Sequence, residues 1–257
     1  MIGGTYMWGP FDPVYGLFLP GIAFLFALIT QARVKSTFSR FSGVTTRSGM
    51  TGAEVAELLL KSRGITDVRV EPTHGFLSDH YDPRTKTLRL SEVVYAGRSV
   101  SSLGVAAHET GHALQHADAY AWLNFRSTMV PVVSVMSRLG SWLLPFGVIL
   151  TFWVGRSSHG GGPNPLGLGF LYCAAIGLAV VVVFSLVTLP VEIDASQRAM
   201  RLLGGAGVLV GEEIDGARAV LRAAAWTYVA SASAAIVELL RVLSLIAMAN
   251  NRGRNSR

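Results

Sequence analysis

The sequence predicts a mainly α-helical membrane protein with three to four transmembrane helices and a small α+β domain. Hydrophobic residues make up 51% of the 257 residues and charged residues only 15%, against about 25% charged in soluble domains. Long apolar runs alternate with two charged regions, and the larger one contains an H-E-x-x-H sequence. The single cysteine, Cys173, excludes an internal disulfide. The basic residues form no stripe with interleaved aromatic residues, which argues against nucleic acid as a partner.

The first apolar run, 14–32, predicts a transmembrane helix. Arg33, Lys35 and Arg40 follow this run, whereas a secretory signal peptide has its basic residues before the apolar core. Because Lys and Arg favour the cytoplasmic side of a membrane, we expect residues 1–13 to be external and the chain to enter the cytoplasm after the helix.

Residues 33–138 are predicted to form a cytoplasmic domain. Thr51, with Glu54 three residues later, is typical of a capped helix start. Residue periodicity predicts two strands and a further helix, at 67–71, 85–91 and 99–119. The segment between the two strands is rich in turn-forming residues.

The next apolar runs predict a transmembrane hairpin over 139–190. A charge at mid-membrane is costly, so we expect the first span to begin after Arg138. A loop rich in Gly, Pro and Ser at 156–164 precedes the second span. That span, 165–190, has 26 residues without a charge, which exceeds the roughly 20 residues needed to cross a bilayer.

Two more segments follow the hairpin. Residues 191–222 are predicted to form a cytoplasmic helical region. The apolar run 223–249 contains Glu238 and Arg241, and we expect it either to span the membrane or to lie against it. If it spans, the basic tail 250–257 lies outside, against the positive-inside tendency.

The H-E-x-x-H sequence consists of His108, Glu109 and His112 on the predicted helix 99–119. The i, i+4 spacing puts both imidazoles on one helix face, where they can bind one Zn²⁺. Glu109 is offset around the helix, so it can accept a proton from a water that the metal activates. This pattern predicts one catalytic zinc ion with Glu109 as the general base.

A catalytic zinc site usually has a third protein ligand. His116 continues the i, i+4 series but lies about 12 Å along the helix axis from His108, too far for one ion to bind both. Glu192 and Asp194 come just after the hairpin, and its two spans return the chain to the side of His112. Glu192 is the preferred ligand, while Asp194 and His116 are alternatives, as ligands or as groups that hold a ligand in place.

Most of the chain resembles the neutral zinc metallopeptidases of bacterial membranes known as the YugP-like family. The resemblance rests on stretches at 51–55 (TGAEV), 68–71 (VRVE), 78–83 (SDHYDP), 88–91 (LRLS), 104–112 (GVAAHETGH), 189–192 (LPVE), 195–196 (AS) and 223–230 (AAAWTYVA). It implies a zincin-like metalloprotease domain with a gluzincin-like site, in which His108, His112 and Glu192 bind zinc. The related HtpX-like proteases carry an E-x-x-x-D pattern, but here Ser196 stands in the place of that Asp.

The resemblance also directs attention to groups that could contact substrate. Candidates for stabilising the oxyanion or touching the substrate are His80, Tyr81, Tyr95 and Arg198. In a gluzincin-like arrangement, the strand 85–91 could pair with an extended substrate.

These observations lead to one main functional hypothesis. It is a zinc-dependent endopeptidase in the bacterial plasma membrane, with its active site facing the cytoplasm and the lipid bilayer around its anchor. Its substrates are proteins or peptides, including membrane proteins. The alternative is a non-catalytic zinc-binding membrane scaffold. A transporter ranks last because the span 165–190 lacks the polar groups of a substrate path.

Overall fold

The computed structural model describes residues 14–154 and 163–255. Its helices are α1 (Leu19–Ser42, preceded by a π-helical turn at Val14–Phe18), α2 (Gly52–Ser62), α3 (Glu92–Tyr95), α4 (Val100–Ala117), α5 (Ala121–Ile149, followed by a π-helical turn at Leu150–Val154), α6 (Pro165–Gly205) and α7 (Glu212–Asn255). Its strands are β1 (Arg69–Thr73), β2 (His80–Asp82) and β3 (Thr87–Ser91). The mainly α-helical fold with a small α+β part is confirmed.

Among the described residues, four helices are long and apolar enough to cross a membrane: Val14–Ser42, Ala121–Val154, Pro165–Gly205 and Glu212–Arg254. This agrees with the upper end of the predicted range of three to four. In the last helix, Glu238 and Arg241 form a two-pronged pair, with N–O distances of 2.9 and 2.6 Å. Pairing within one helix lowers the cost of placing these two charges in an apolar run.

The predicted start of one span and the predicted end of another both fall inside longer helices. Helix α5 passes through Arg138 without a break, and α6 continues through Pro190 to Gly205. Arginine is a good helix former, so its charge affects membrane depth and not helix continuity. With 41 residues at 1.5 Å each, α6 is about 62 Å long, twice the hydrocarbon thickness of about 30 Å. One helix therefore contains both the apolar span and the polar segment that follows it.

Several predicted segments lie outside the described residues. These are the external N-terminus, most of the hairpin loop and the last two residues of the basic tail: 1–13, 155–162 and 256–257. The predicted domain boundaries and the side of the membrane on which each segment lies stay predictions.

The chain divides into two compact units. The first, the helical unit, comprises the described residues of Met1–Ala27, Thr128–Leu186 and Ala230–Arg257. Within it α5 and α6 approach closely, because a Cβ added to Gly147 of α5 would lie 3.2 Å from the backbone nitrogen of Leu171. Such small-residue contacts are typical of helices that pack in membranes.

The second, the mixed unit, comprises Leu28–Ser127 and Val187–Val229. Its core joins α2 and α4 to the end of α6 and the start of α7, through the buried side chains of Val55, Leu59, Leu103, Ala107, Leu203 and Ala217. The predicted capping box at the start of α2 is present: the Glu54 backbone nitrogen donates to the Thr51 hydroxyl, and the Thr51 backbone nitrogen donates to the Glu54 carboxylate.

The sheet of the mixed unit has the strand order β1-β3-β2. Strand β3 pairs in parallel with β1 and antiparallel with β2. Strand β3 pairs along its whole length with β1 and at Thr87–Arg89 with β2, so little of its edge is left for the substrate that the strand 85–91 was predicted to pair with. Strand β2 was not predicted. It has only three residues and lies in the segment that the sequence predicts to be rich in turns.

Candidate metal centre

The position of the site depends on a close crossing of α4 and α6. Helix α4 is capped by the preceding Ser99, whose hydroxyl accepts a hydrogen bond from the backbone nitrogen of Ser102. At Gly111, an added Cβ would lie only 2.5 Å from the carbonyl oxygen of Ala195. The absence of a side chain at Gly111 therefore lets the two backbones touch, and this crossing brings Glu192 beside the H-E-x-x-H helix.

Three side chains converge at this crossing. The Oε2 atom of Glu192 lies 3.2 Å from Nε2 of His108 and 3.5 Å from Nε2 of His112. The potential ligand atoms of the three residues all lie within 4.8 Å of one another. Glu192 and His112 are buried, with exposed fractions of 2% and 8%.

These separations fit a zinc ion. Ligand atoms bound at 2.0–2.1 Å in tetrahedral geometry lie about 3.3 Å apart, close to the two distances to Glu192. Two imidazoles and one carboxylate also match the donor set of several catalytic zinc sites, which leave the fourth position open. The geometry is thus compatible with one ion held by the three side chains.

A buried glutamine orients one of the imidazoles. The side-chain nitrogen of Gln115 donates to the carbonyl oxygen of Val191 and to the carboxylate of Asp194, both at 2.8 Å. The amide oxygen of Gln115 therefore faces Nδ1 of His112, at 3.0 Å. Because this oxygen can only accept, Nδ1 carries the proton and Nε2 of the neutral ring keeps a free lone pair for a metal.

A serine has the equivalent place beside the other imidazole. The hydroxyl of Ser196 lies 3.1 Å from Nδ1 of His108. Both rings thus use Nδ1 for a protein contact and turn Nε2 towards Glu192. Ser196, which replaces the Asp of the related E-x-x-x-D pattern, still contacts a candidate ligand.

Two residues that were not predicted as site residues lie close to Glu192. Nη2 of Arg126 lies 3.7 Å from Oε1 of Glu192, the oxygen that does not face the histidines, and Tyr228 lies close to the same carboxylate. Tyr228 belongs to the stretch 223–230 that supports the family resemblance. This stretch could therefore have indicated Tyr228 from the sequence alone. Arg126 carried no motif, and only the tertiary structure reveals it.

The negative charge of Glu192 favours the protonated form of His112. Burial has the largest effect on the pKa of His112 and lowers it, but the hydrogen bond and charge of Glu192 outweigh burial, so the net shift is upward. A metal ion would compete with this proton for the same place.

Glu109 is buried, with 8% of its surface exposed. Together with His108 it lines a cavity of about 530 Å³ in the mixed unit. The structure thus places the predicted base at a wall that a substrate could reach, next to the candidate ligands.

The alternative ligands have other partners. Asp194 accepts hydrogen bonds from Gln115 and from Nε of Arg198, the latter at 2.6 Å. His116 contacts the Tyr81 hydroxyl through Nδ1 at 2.8 Å, which links α4 to strand β2. Neither Asp194 nor His116 belongs to the described cluster of three potential ligands.

The proposed oxyanion or substrate contacts lie elsewhere in the mixed unit. Burial raises the pKa of Tyr81 to about 12, and Arg198 pairs with Asp118 as well as Asp194. His80 is exposed and contacts the Ser78 carbonyl, and Tyr95 packs against a hydrophobic cluster. Among the described residues that line the cavity with His108 and Glu109, none of these four appears, whereas Tyr228 does.

Comparison with known proteins places the chain in a family. Residues 17–247 match the family model described as "Putative neutral zinc metallopeptidase". The chain is 41% identical over 239 residues to "Putative membrane protease YugP" of Bacillus subtilis (strain 168), covering 93% of this chain and 99% of the relative. No solved structure matches. Since the family model covers most of the chain and the relative aligns almost end to end, this protein belongs to the family described as "Putative neutral zinc metallopeptidase".

Proposed function

We propose that this protein is a membrane-anchored zinc endopeptidase with His108, His112 and Glu192 as zinc ligands and Glu109 as the general base. The observation that carries this proposal is the 3.2 and 3.5 Å spacing of Glu192 from the two histidines, beside a cavity lined by Glu109. The family relationship and the relative's name as a membrane protease support it.

When bound, zinc would lower the pKa of a water molecule and polarise the scissile carbonyl. Glu109 takes the proton from the attacking water and later gives it to the leaving amine. Gln115 and Ser196 hold the imidazoles with Nε2 directed towards the ion. Tyr228 lies close to the carboxylate of Glu192, which faces both rings.

The site is proposed to face the cytoplasm from the bacterial plasma membrane. The basic residues after the first span support this side, following the positive-inside tendency. Two candidate spans, in α5 and α6, separate His112 from the polar end of α6, so both parts of the site lie on one side. Protein or peptide substrates, including membrane proteins, follow from this location.

The deciding experiment compares the purified full-length protein with its Glu109→Gln variant on an unfolded protein substrate. We expect the variant to retain zinc but to lose about 100-fold or more in activity, since general base catalysis contributes about 10²–10⁴-fold. Glu57→Gln, an exposed change on α2, is the matched control and should keep full activity. Equal activity of Glu109→Gln and wild type would refute the mechanism, and bound zinc without any proteolysis would support the scaffold alternative.

A further inference from the structure

The cavity beside Glu109 has walls from four parts of the mixed unit. Helix α1 contributes Val34 and Phe38, α4 contributes Val105, and α7 contributes Val220 and Ala224. The segment before β2 closes a fourth side. A volume of about 530 Å³ lies within the usual range of about 300–1,000 Å³ for ligand pockets.

The fourth wall is an apolar segment open to solvent. Phe76 and Leu77 line the cavity, although 52% and 42% of their surfaces are exposed. The ring of Phe76 packs edge-to-face on Phe38, with centroids 5.5 Å apart. Leu77 has a φ of 56°, a left-handed conformation that costs energy for a leucine. The chain thus keeps apolar surface exposed at the mouth of the cavity, where a ligand would cover it.

The charged groups of the cavity are few. The backbone nitrogen and hydroxyl of Ser91 both donate to the carboxylate of Asp79, so Asp79 fixes the segment to the end of β3. Lys35 is exposed to solvent. Apart from these two residues, the charged or titratable groups among the described lining residues are His108, Glu109 and Tyr228, all of them at the candidate metal centre.

One wall of the cavity therefore contains the reacting groups, and the other walls are mainly apolar. A peptide whose scissile carbonyl lies beside Glu109 would place an adjacent side chain between Val34, Phe76 and Ala224. Burial of a large apolar side chain against such walls is favourable, whereas an acidic side chain would lose its hydration there.

We infer that this cavity is the subsite that binds a large apolar side chain, such as Leu or Phe, next to the scissile bond of the substrate. The inference rests on the proposed peptidase function and assigns its substrate preference: extended peptide segments with a bulky apolar residue at the cleavage point.

The test uses peptides that differ only at residues flanking one bond, with Trp, Phe, Leu, Ala, Asp or Lys at each position. The full-length protein in detergent is assayed for kcat/KM, and the Glu109→Gln variant is assayed for peptide binding by fluorescence anisotropy. We expect Phe and Leu peptides to exceed their Ala counterparts by about tenfold or more in both measurements, with Asp peptides weakest.

Filling the cavity should remove this preference. Ala224→Phe is expected to reduce the advantage of Phe over Ala peptides to about threefold or less, while Ala peptides are still cleaved. The matched control is Ala225→Phe, because Ala225 is the next residue of α7 but lines a different cavity; it should keep the wild-type preference. Val34→Ala enlarges the subsite and should shift the preference towards Trp, which gives a second measurement if Ala224→Phe does not fold.

The outcomes separate the two proposals. If Glu109→Gln cleaves as well as wild type, the proposed function fails. If cleavage depends on Glu109 but the wild type prefers Asp or Ala peptides, or if Ala224→Phe leaves the Phe-over-Ala ratio unchanged and Val34→Ala leaves the Trp-over-Phe ratio unchanged, the subsite inference is overturned and the peptidase function stands.

Discussion

The side-chain oxygen of Gln115 lies 3.0 Å from Nδ1 of His112, while its nitrogen bridges the Val191 carbonyl and the Asp194 carboxylate of α6. One buried amide therefore sets the tautomer of a candidate ligand on α4 and fastens it to the helix that carries Glu192. The geometry of both helices at the metal centre depends on this contact.

Gln115→Ala should weaken zinc binding because it frees the His112 ring to rotate and to change tautomer. Loss of such a supporting contact typically costs about 10–100-fold in metal affinity. The zinc dissociation constant can be measured by competition with a chelator. Gln197→Ala, at an exposed position of α6, is the control, and equal affinities of the two variants would show that Gln115 has no positioning role.

Glu192→Ala and Asp194→Ala should affect zinc differently. The carboxylate of Glu192 faces both histidines, whereas Asp194 is bonded to Gln115 and Arg198. We therefore expect Glu192→Ala to purify with little zinc and Asp194→Ala to keep close to one ion per chain, as measured by elemental analysis. The reverse pattern would make Asp194 the third ligand.

Gly111→Ala should destabilise the mixed unit. Its new Cβ would lie 2.5 Å from the carbonyl oxygen of Ala195, a backbone atom that cannot move aside cheaply. Overpacking of this kind costs about 1–3 kcal/mol, and the helices should separate enough to weaken zinc binding as well. The comparison is Gly140→Ala, where an added Cβ meets nothing within 4 Å. A melting temperature unchanged by Gly111→Ala would contradict the close crossing.

Thr51→Ala should lower stability through loss of the cap of α2. The Thr51 hydroxyl accepts from the Glu54 backbone nitrogen at 3.2 Å, and replacing such a cap by Ala costs about 1 kcal/mol. Thr51→Ser keeps the oxygen and should unfold like wild type in a denaturant titration. If Thr51→Ala and Thr51→Ser unfold together, the cap contributes nothing measurable.

The same cap should show a pH dependence. Hydrogen bonds from the backbone and the side chain of Thr51 lower the pKa of Glu54. Stability from an acid with a lowered pKa is present above its ordinary pKa and is lost as the pH falls through the lowered value. The stability difference between wild type and Glu54→Gln, which removes the titrating carboxyl, should therefore narrow in acid, and a difference that widens would contradict the assignment.

Much of the fold could be predicted because its signals are local. A run without charges predicts a span, the T-x-x-E pattern predicts the start of α2, and the i, i+4 spacing places His108 and His112 on one helix face whatever the rest of the chain does. The prediction was less accurate where contacts between distant parts of the chain determine the structure. Whether a strand is central or at an edge depends on its partners, so how little of the edge of β3 is left for a substrate could not be known until β1 and β2 were seen beside it.

The sequence by itself determined the long apolar helices, the H-E-x-x-H helix and a short set of acids after the hairpin that could complete a zinc site. Only the tertiary structure decided that Glu192 faces the histidines, while Asp194 bonds to Gln115 and Arg198. It also placed Arg126 and Tyr228 close to Glu192. The physical reason is that local sequence sets the phase of each helix, whereas the crossing at Gly111 and Ala195 sets which faces meet. Glu192 and His108 are 84 residues apart, and helix packing alone joins them.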